Sequence, residues 1–378
     1  MSTTLPIATL KPKEDRRIQR GHAWAYRGEF SKIPELADGA LVDVYSAERR
    51  FVGRGFFQTQ GGIAVRVLSR RQEEIDTAFF RERIQTALAL RQLLFPGSQA
   101  YRWIFGESDG LPGLVADRFG AVVSVQSSCA FYVPLMKPIA ELLMEADGVE
   151  GVRFQVAYHL EVVGNVPNDV DFELEGLAVS LQLEGAQKTG MFLDQRYNRV
   201  APAPFAKDAR VFDGHCHLGL WACHAAKAGA HAVLAVDTSQ AALDLAAANA
   251  ERNGVAERIE FRCGDVEEIL AEEEPFDVVI VDPPAFAKSR ALARKAEGKY
   301  LQLNRAALKA VKPGGMLFTS SCSHFIDDAL FLDIIKRASF AEKRTVQLLE
   351  LRGAAQDHPV LLAMPETAYL KCAVLRVV

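Results

Sequence analysis

From about Gln187 to Val378, short apolar runs alternate with helical stretches, and this rhythm restricts the fold more than any other feature. The strand candidates are ARVFD, AVLAVD, IEFRC, FDVVIVD and GMLFTSS, with TVQLLEL and YLKCAVLRVV as a closing pair. Between them lie helices such as QAALDLAAANAERNG, which opens after the capping residue Ser239 and stops at Gly254. Such alternation predicts an α/β domain with a parallel sheet, whose ligands sit at the carboxyl ends of the strands. Four of those ends are acidic: Asp213, Asp237 and Asp282 close strands, and Asp265 follows one. Carboxylates there can accept hydrogen bonds from ribose hydroxyls or an adenine amino group. A dinucleotide-binding protein uses the same device at its second strand, so Asp237 alone does not choose between cofactors.

The preceding residues follow other patterns. In residues 1–72, ALVDVYS, FVGRGFF and GGIAVRVLS read as strands joined by tight turns, a small β-rich domain. Residues 73–185 read as a central α+β domain: a helix from Asp76 to Leu94 ended by Phe95-Pro96-Gly97, a strand FGAVVSVQSS, a helix PLMKPIAELLMEA, and strands VRFQVA, HLEVVG and LAVSLQL. Residues 186–378 form the third domain. Charge divides along similar lines. Met1–Arg71 holds 13 Lys and Arg against 7 Asp and Glu, which leaves −10 on the remainder of a chain whose net charge is −4. A basic module on an acidic body fits phosphate contacts in one part and chemistry in the other, although charge alone is equally consistent with surface asymmetry. No apolar run reaches membrane-spanning length, the amino terminus lacks a signal core, and the six cysteines have no paired spacing. A cytoplasmic protein without disulfides, membrane partner or metal is expected.

The glycines discriminate between cofactors. After the first strand of the third domain the chain reads DGHCHLGLWACHAAKAGA, which lacks the GxGxxG that brings a pyrophosphate against a helix start. A dehydrogenase is thereby disfavoured. The spacing resembles the first motif of class I methyltransferases, whose S-adenosyl-L-methionine carries a sulfonium and no phosphate. That resemblance implies Asp213 and Gly219 beside the methionine portion, Asp237 on the ribose and Asp265 at the adenine. Similar enzymes have a second glycine where this chain has Leu220, a departure that bears on cofactor affinity. His215, Cys216, His217, Cys223 and His224 are zinc-ligating types, but their spacing matches no common finger.

The fourth strand of this domain runs into DPPAFAKS at 282–289, where two prolines remove backbone donors and stiffen the loop around Asp282. The fifth runs into LFTSSCSHF and puts Cys322 at a strand end close to Asp282. Carbon 5 of cytosine is a poor nucleophile until a thiolate adds at carbon 6, which Cys322 can do while Asp282 serves the N3 and amino edge as acid. A buried strand cysteine is the bland alternative.

At this point the resemblance becomes specific. RGHAWAYRGEF at 20–30, GESDGLPGLVADRFG at 106–120, QKTGMFLDQRYNR at 187–199, VDTSQAALDLAAAN at 236–249, DPPAF, SSCS and DHPV at 357–360 together resemble the bacterial large-subunit rRNA cytosine-C5 methyltransferases almost end to end. The resemblance implies an amino-terminal PUA domain, a central α+β domain and a Rossmann-like class I methyltransferase domain. It also implies large-subunit rRNA as partner, and Gln187, Lys188, Asp194 and Arg199 packed over the cofactor. A PUA domain makes Arg16, Arg17, Arg20, Arg27 and Arg54 the phosphate candidates. No second cysteine follows the DPP, so Asp282, His324 and His358 are the candidates for removing the C5 proton. A homodimer is left open, as is the modified nucleotide. Two rivals remain: an rRNA guanine methyltransferase, which shares DPPxF but needs no Cys322, and a non-catalytic RNA-binding assembly factor.

Overall fold

The computed structural model describes residues 5–184, 189–286 and 293–378. Two compact units emerge. The first comprises residues up to Val170 with Gln182–Gly190 and Gln356–Thr367, and the second comprises Asp171–Leu181, Met191–Ala355 and Ala368–Val378.

The first unit contains two sheets. In one, β1 (Ile7–Leu10), β2 (Trp24–Tyr26), β3 (Phe30–Lys32), β4 (Leu41–Tyr45), β5 (Phe51–Phe57) and β6 (Ile63–Ser69) line up in the order β2-β6-β5-β4-β1-β3, with the short helix α1 (Arg16–Gln19) between β1 and β2. Its core is built from alternating apolar residues such as Val42 and Val44, and Val65 and Val67. Helix α2 (Thr77–Leu94) follows, started by Asp76, whose carboxylate accepts the Phe79 N–H at 2.9 Å. The second sheet is β11-β10-β9-β8-β7, made of β7 (Ala100–Phe105), β8 (Leu114–Phe119), β9 (Val122–Ser127), β10 (Gly151–Val156) and β11 (His159–Gly164), with α3 (Met136–Met144) before β10. Phe56 of the first sheet stacks on Phe131 with ring centroids 4.5 Å apart, which ties the two sheets of this unit together. Segment 356–367 belongs here too: buried Arg91 donates to the Asp357 carbonyl at 2.8 Å, and the Asp357 carboxylate accepts the Arg102 N–H at 2.9 Å.

The hairpin β12 (Asp169–Leu174) and β13 (Leu177–Gln182) leads into the second unit. There the elements are α4 (Arg196–Arg199), α5 (Ala203–Ala206), β14 (Arg210–Gly214), α6 (Leu220–Lys227), β15 (Ala232–Asp237), α7 (Gln240–Arg252), β16 (Ile259–Cys263), α8 (Val266–Glu272), β17 (Phe276–Val281), α9 (Ala293–Ala310), β18 (Val311–Ser321), α10 (Asp328–Ala341), β19 (Val346–Arg352) and β20 (Lys371–Val377). The sheet order is β16-β15-β14-β17-β18-β20-β19. Strands β14 to β18 are parallel, and β20 enters antiparallel between β18 and β19. The order reverses between β14 and β17, the switch point at which open α/β sheets bind ligands, and Asp213 and Asp282 lie at the carboxyl ends of these two strands.

Candidate cofactor and active site

The four strand-end carboxylates occupy two kinds of environment. Asp213 is fully buried: one oxygen accepts the Ala222 N–H at 2.9 Å at the start of α6, and Oδ1 has no partner among the described residues. Burial, with Asp282 and Asp237 adding to it, pushes its carboxyl up to about 8. Asp282 follows β17 and accepts from Gln195 Nε2 at 2.7 Å and Trp221 Nε1 at 3.2 Å. Burial and then the neighbouring Asp194 raise it to about 6. The outer pair is more open. Asp237 accepts the His217 N–H of the loop between β14 and α6 and the Ser239 N–H just beyond its own strand, both at 3.0 Å. Asp265 is exposed and caps α8, its Oδ1 accepting from Glu267 N at 2.9 Å and Glu268 N at 3.1 Å.

The loop between β14 and α6 has three left-handed residues, His215 at φ 63°, His217 at 48° and Gly219 at 71°. Two of these are not glycine, an uncommon conformation held here by its surroundings. A Cβ on Gly219 would lie 2.9 Å from the Ala246 Cβ, so closeness to α7 as well as backbone angle demands glycine there. Leu220 instead opens α6 with its side chain buried. Burial lowers the pKa values of His215 and His217, takes His224 down to about 4 and Cys223 up to about 12, and raises the Cys216 thiol. Among the described residues no three His, Cys, Asp or Glu side chains converge as a metal site.

The segment QKTGMFLDQRYNR divides at the unit boundary. Gln187 and Lys188 lie outside the described residues, and the Thr189 hydroxyl donates to Asp117 in the first unit. Asp194 and Arg199 are buried in the second unit. Asp194 accepts the Tyr369 hydroxyl at 2.5 Å, and Arg199 donates to the Phe192 carbonyl. Sequence reasoning passed over Gln195 and Trp221, the two donors on Asp282. A glutamine and a tryptophan inside otherwise readable motifs are their only sequence signal. Gln195 also donates to Ser320 Oγ at 3.1 Å, so one amide links the DPP loop to the end of β18.

Cys322 sits one residue past β18, half-buried, its Sγ 3.9 Å from the Pro283 carbonyl of the DPP loop. Thiol and Asp282 therefore emerge from neighbouring parallel strands. His324 is exposed two residues further on, its ring edge-on to Phe325. His358 lies in the first unit, buried, with Nδ1 2.9 Å from an Asp357 carboxylate oxygen.

The five arginines singled out in residues 1–72 also separate into groups. Arg54 pairs with Asp43 at 2.7 and 3.0 Å, Arg17 with Glu29 at 2.6 Å, and Arg27 donates to the Gln58 carbonyl at 2.6 Å. Arg16 and Arg20 are exposed, with no side-chain partner found among the described residues.

Residues 8–70 match the PUA-like domain family, and residues 211–315 match a methyltransferase domain family. The protein of Alteromonas mediterranea named Ribosomal RNA large subunit methyltransferase I is 35% identical over 388 residues, which cover 97% of this chain and 98% of that one. This chain belongs to the ribosomal RNA large subunit methyltransferase I family. The family's member from Photobacterium profundum is 34% identical over 97% of this chain and 98% of its own. Among solved structures, SMU.776, a putative methyltransferase complexed with SAH, superimposes with a TM-score of 0.88 over 98% of this chain and 100% of its own, at 19% identity, a likeness of fold. The cofactor of the family fold is S-adenosylmethionine. The residues present fit it: a buried carboxylate with an unsatisfied oxygen at the switch point of the sheet suits a cationic ligand group, and no phosphate-binding glycine loop is there. Among the described residues, no helix is long and apolar enough to cross a membrane.

Proposed function

We propose that this chain methylates carbon 5 of a cytosine in large-subunit ribosomal RNA through a covalent intermediate on Cys322. The observation that carries the reading is the half-buried Cys322 thiol 3.9 Å from the DPP-loop carbonyl, on the strand next to the one that delivers Asp282. The cofactor supplies an electrophilic methyl group. Cys322 Sγ forms a bond to carbon 6, and the electron pair of the C5–C6 double bond takes up the methyl at carbon 5. Asp282, with a carboxyl raised to about 6, holds a proton at the N3 edge as charge develops there. Removal of the C5 proton, by the exposed His324 or by Asp282 once it has passed its own proton to N3, restores the double bond as the carbon–sulfur bond breaks and the thiolate leaves.

In this reading Asp213, Gly219, Asp237, Asp265, Asp282, Asp194 and Arg199, with Gln187 and Lys188, bind the cofactor. Arg16, Arg17, Arg20, Arg27 and Arg54 serve the RNA, directly from Arg16 and Arg20 and by holding the sheet from the other three. The test uses rRNA carrying 5-fluorocytidine, from which no C5 proton can be removed. The expected result is a stalled adduct mapped by mass spectrometry to Cys322, and loss of turnover with cofactor binding retained in Cys322→Ala. Methylation persisting in Cys322→Ala would instead favour the guanine-methylating alternative.

A further inference from the structure

A buried lysine at the head of an apolar strand needs an explanation, because an ammonium is rarely taken out of water without a purpose or a partner. Lys371 opens β20, the strand paired with β18, in register with Ser321. Its side chain is 4% exposed. Nζ donates to the Ser323 carbonyl at 2.9 Å and to the Tyr369 carbonyl at 2.8 Å. Ser323 directly follows Cys322, so the charge is held against the backbone of the thiol's own turn. The turn is itself fixed: the Tyr300 hydroxyl is 2.8 Å from Ser323 Oγ, and Ser323 N donates to Ser321 Oγ at 3.3 Å.

The other side of Cys322 faces the wrong way for a nucleophile. Its contact with the Pro283 carbonyl is one in which S–H donates, so it favours the thiol, while the lone pairs of the same oxygen repel a thiolate. A nearby positive charge is the counterweight such a site needs. Burial lowers the Lys371 ammonium from its ordinary value, and the groups that face it, Asp328 and Asp327 at the head of α10 and Cys322, push the other way and favour its charged form. Tyr300 of α9 senses the same thiol.

We propose that Lys371 is the positioning cation of Cys322, a buried ammonium whose field favours the thiolate at the moment of attack on carbon 6. The inference rests on Cys322 being the nucleophile, and it assigns Lys371 no contact with the base or the cofactor.

The experiment reads the thiol directly. In the full-length protein carrying Cys263→Ser, which removes an exposed competing thiol, the rate of iodoacetamide labelling at Cys322 is followed against pH by peptide mass spectrometry. Lys371→Met is expected to move the labelling midpoint up by about one pH unit or more, so that labelling near neutral pH slows about tenfold. Lys371→Arg is expected to restore the midpoint. Lys371→Gln, which keeps amide donors for the two carbonyls without the charge, should behave as Lys371→Met does. S-adenosylhomocysteine affinity in each variant reports a folded cofactor domain. A midpoint that stays put in either folded, uncharged variant overturns the proposal while leaving Cys322 as nucleophile. Methylation that survives Cys322→Ala sinks the nucleophile reading whatever Lys371 does.

Discussion

Arg102 and Asp117 in the first unit are both buried and meet at 2.5 and 3.0 Å, and Arg91 meets Asp109 at 2.7 Å through both forks. In the second unit Asp213 is buried and Asp282 half-buried, but their bonds come from neutral donors, Ala222 N, Gln195 and Trp221. Burial without a cationic hydrogen-bond partner raises these two carboxyls, to about 8 and about 6. A buried charge answered within the fold belongs to its architecture. One left for a ligand to answer marks where chemistry occurs.

The comparison breaks most severely if Arg102 is replaced. Arg102→Met strands Asp117 with the Thr189 hydroxyl in a dry core, and unfolding in urea should show a loss of about 3–5 kcal/mol, the range for removing one partner of a buried pair. S-adenosylhomocysteine affinity measured on the remaining folded protein should be unchanged. A loss of affinity without a loss of stability would contradict the division.

A smaller effect comes from Asp213, with a definite sign. Its folded value of about 8 exceeds the ordinary 3.8, so the native protein binds more protons than the unfolded chain between those limits. Stability of the ligand-free protein must therefore fall as pH rises through that window, by at most about 1.4 kcal/mol per pH unit from this group. Asp213→Asn should flatten melting temperature against pH from 7 to 8, where Asp282, raised to about 6, is already largely ionised. Equal slopes in the two proteins would show that Asp213 is ionised in the crevice without help.

The mildest test separates arginines within the amino-terminal sheet. Replacing exposed Arg16 and Arg20 with Gln should lower the salt slope of rRNA-fragment binding by about 1–2 and leave melting unchanged. Arg54→Gln should do the reverse, since that guanidinium is engaged with Asp43 and the Glu73 carbonyl. A common response from both substitutions would erase the distinction between exposed and tethered arginines.

The same pairing explains what the sequence concealed. AVLAVD, IEFRC, HLEVVG and FVGRGFF fall on their strands without adjustment because their apolar content is continuous or regularly interrupted. AYRWIF and LVADRF, which form β7 and β8, went unread because Arg102, Asp117 and Arg118 interrupt them. Arg102 and Asp117 lie opposite one another in the ladder, so each disguises one strand and only the pairing, invisible in one dimension, makes both legitimate. The candidate site shows a similar division. Asp213, Asp237, Asp265, Asp282 and Cys322 were legible because each ends or follows a strand. Gln195, Trp221 and Lys371 come from distant stretches of chain, and only folding brings them to the carboxylate and the thiol. The place of Gln356–Thr367 in the first unit was unreadable for the same reason, since a short apolar segment with DHPV carries no periodicity.

The insertion of β20 between β18 and β19 also has a temporal meaning. The sheet cannot be assembled in the order in which its strands leave the ribosome, because β19 has no neighbour until a strand made after it slides in beside β18. Cys322 is synthesised about fifty residues ahead of Lys371, which at about 5–20 residues per second leaves the thiol without its cation for roughly 3–10 s. A nascent chain would thus hold Cys322 apart from Lys371 until the last strand docks, and the turn that carries the thiol would be completed together with the sheet.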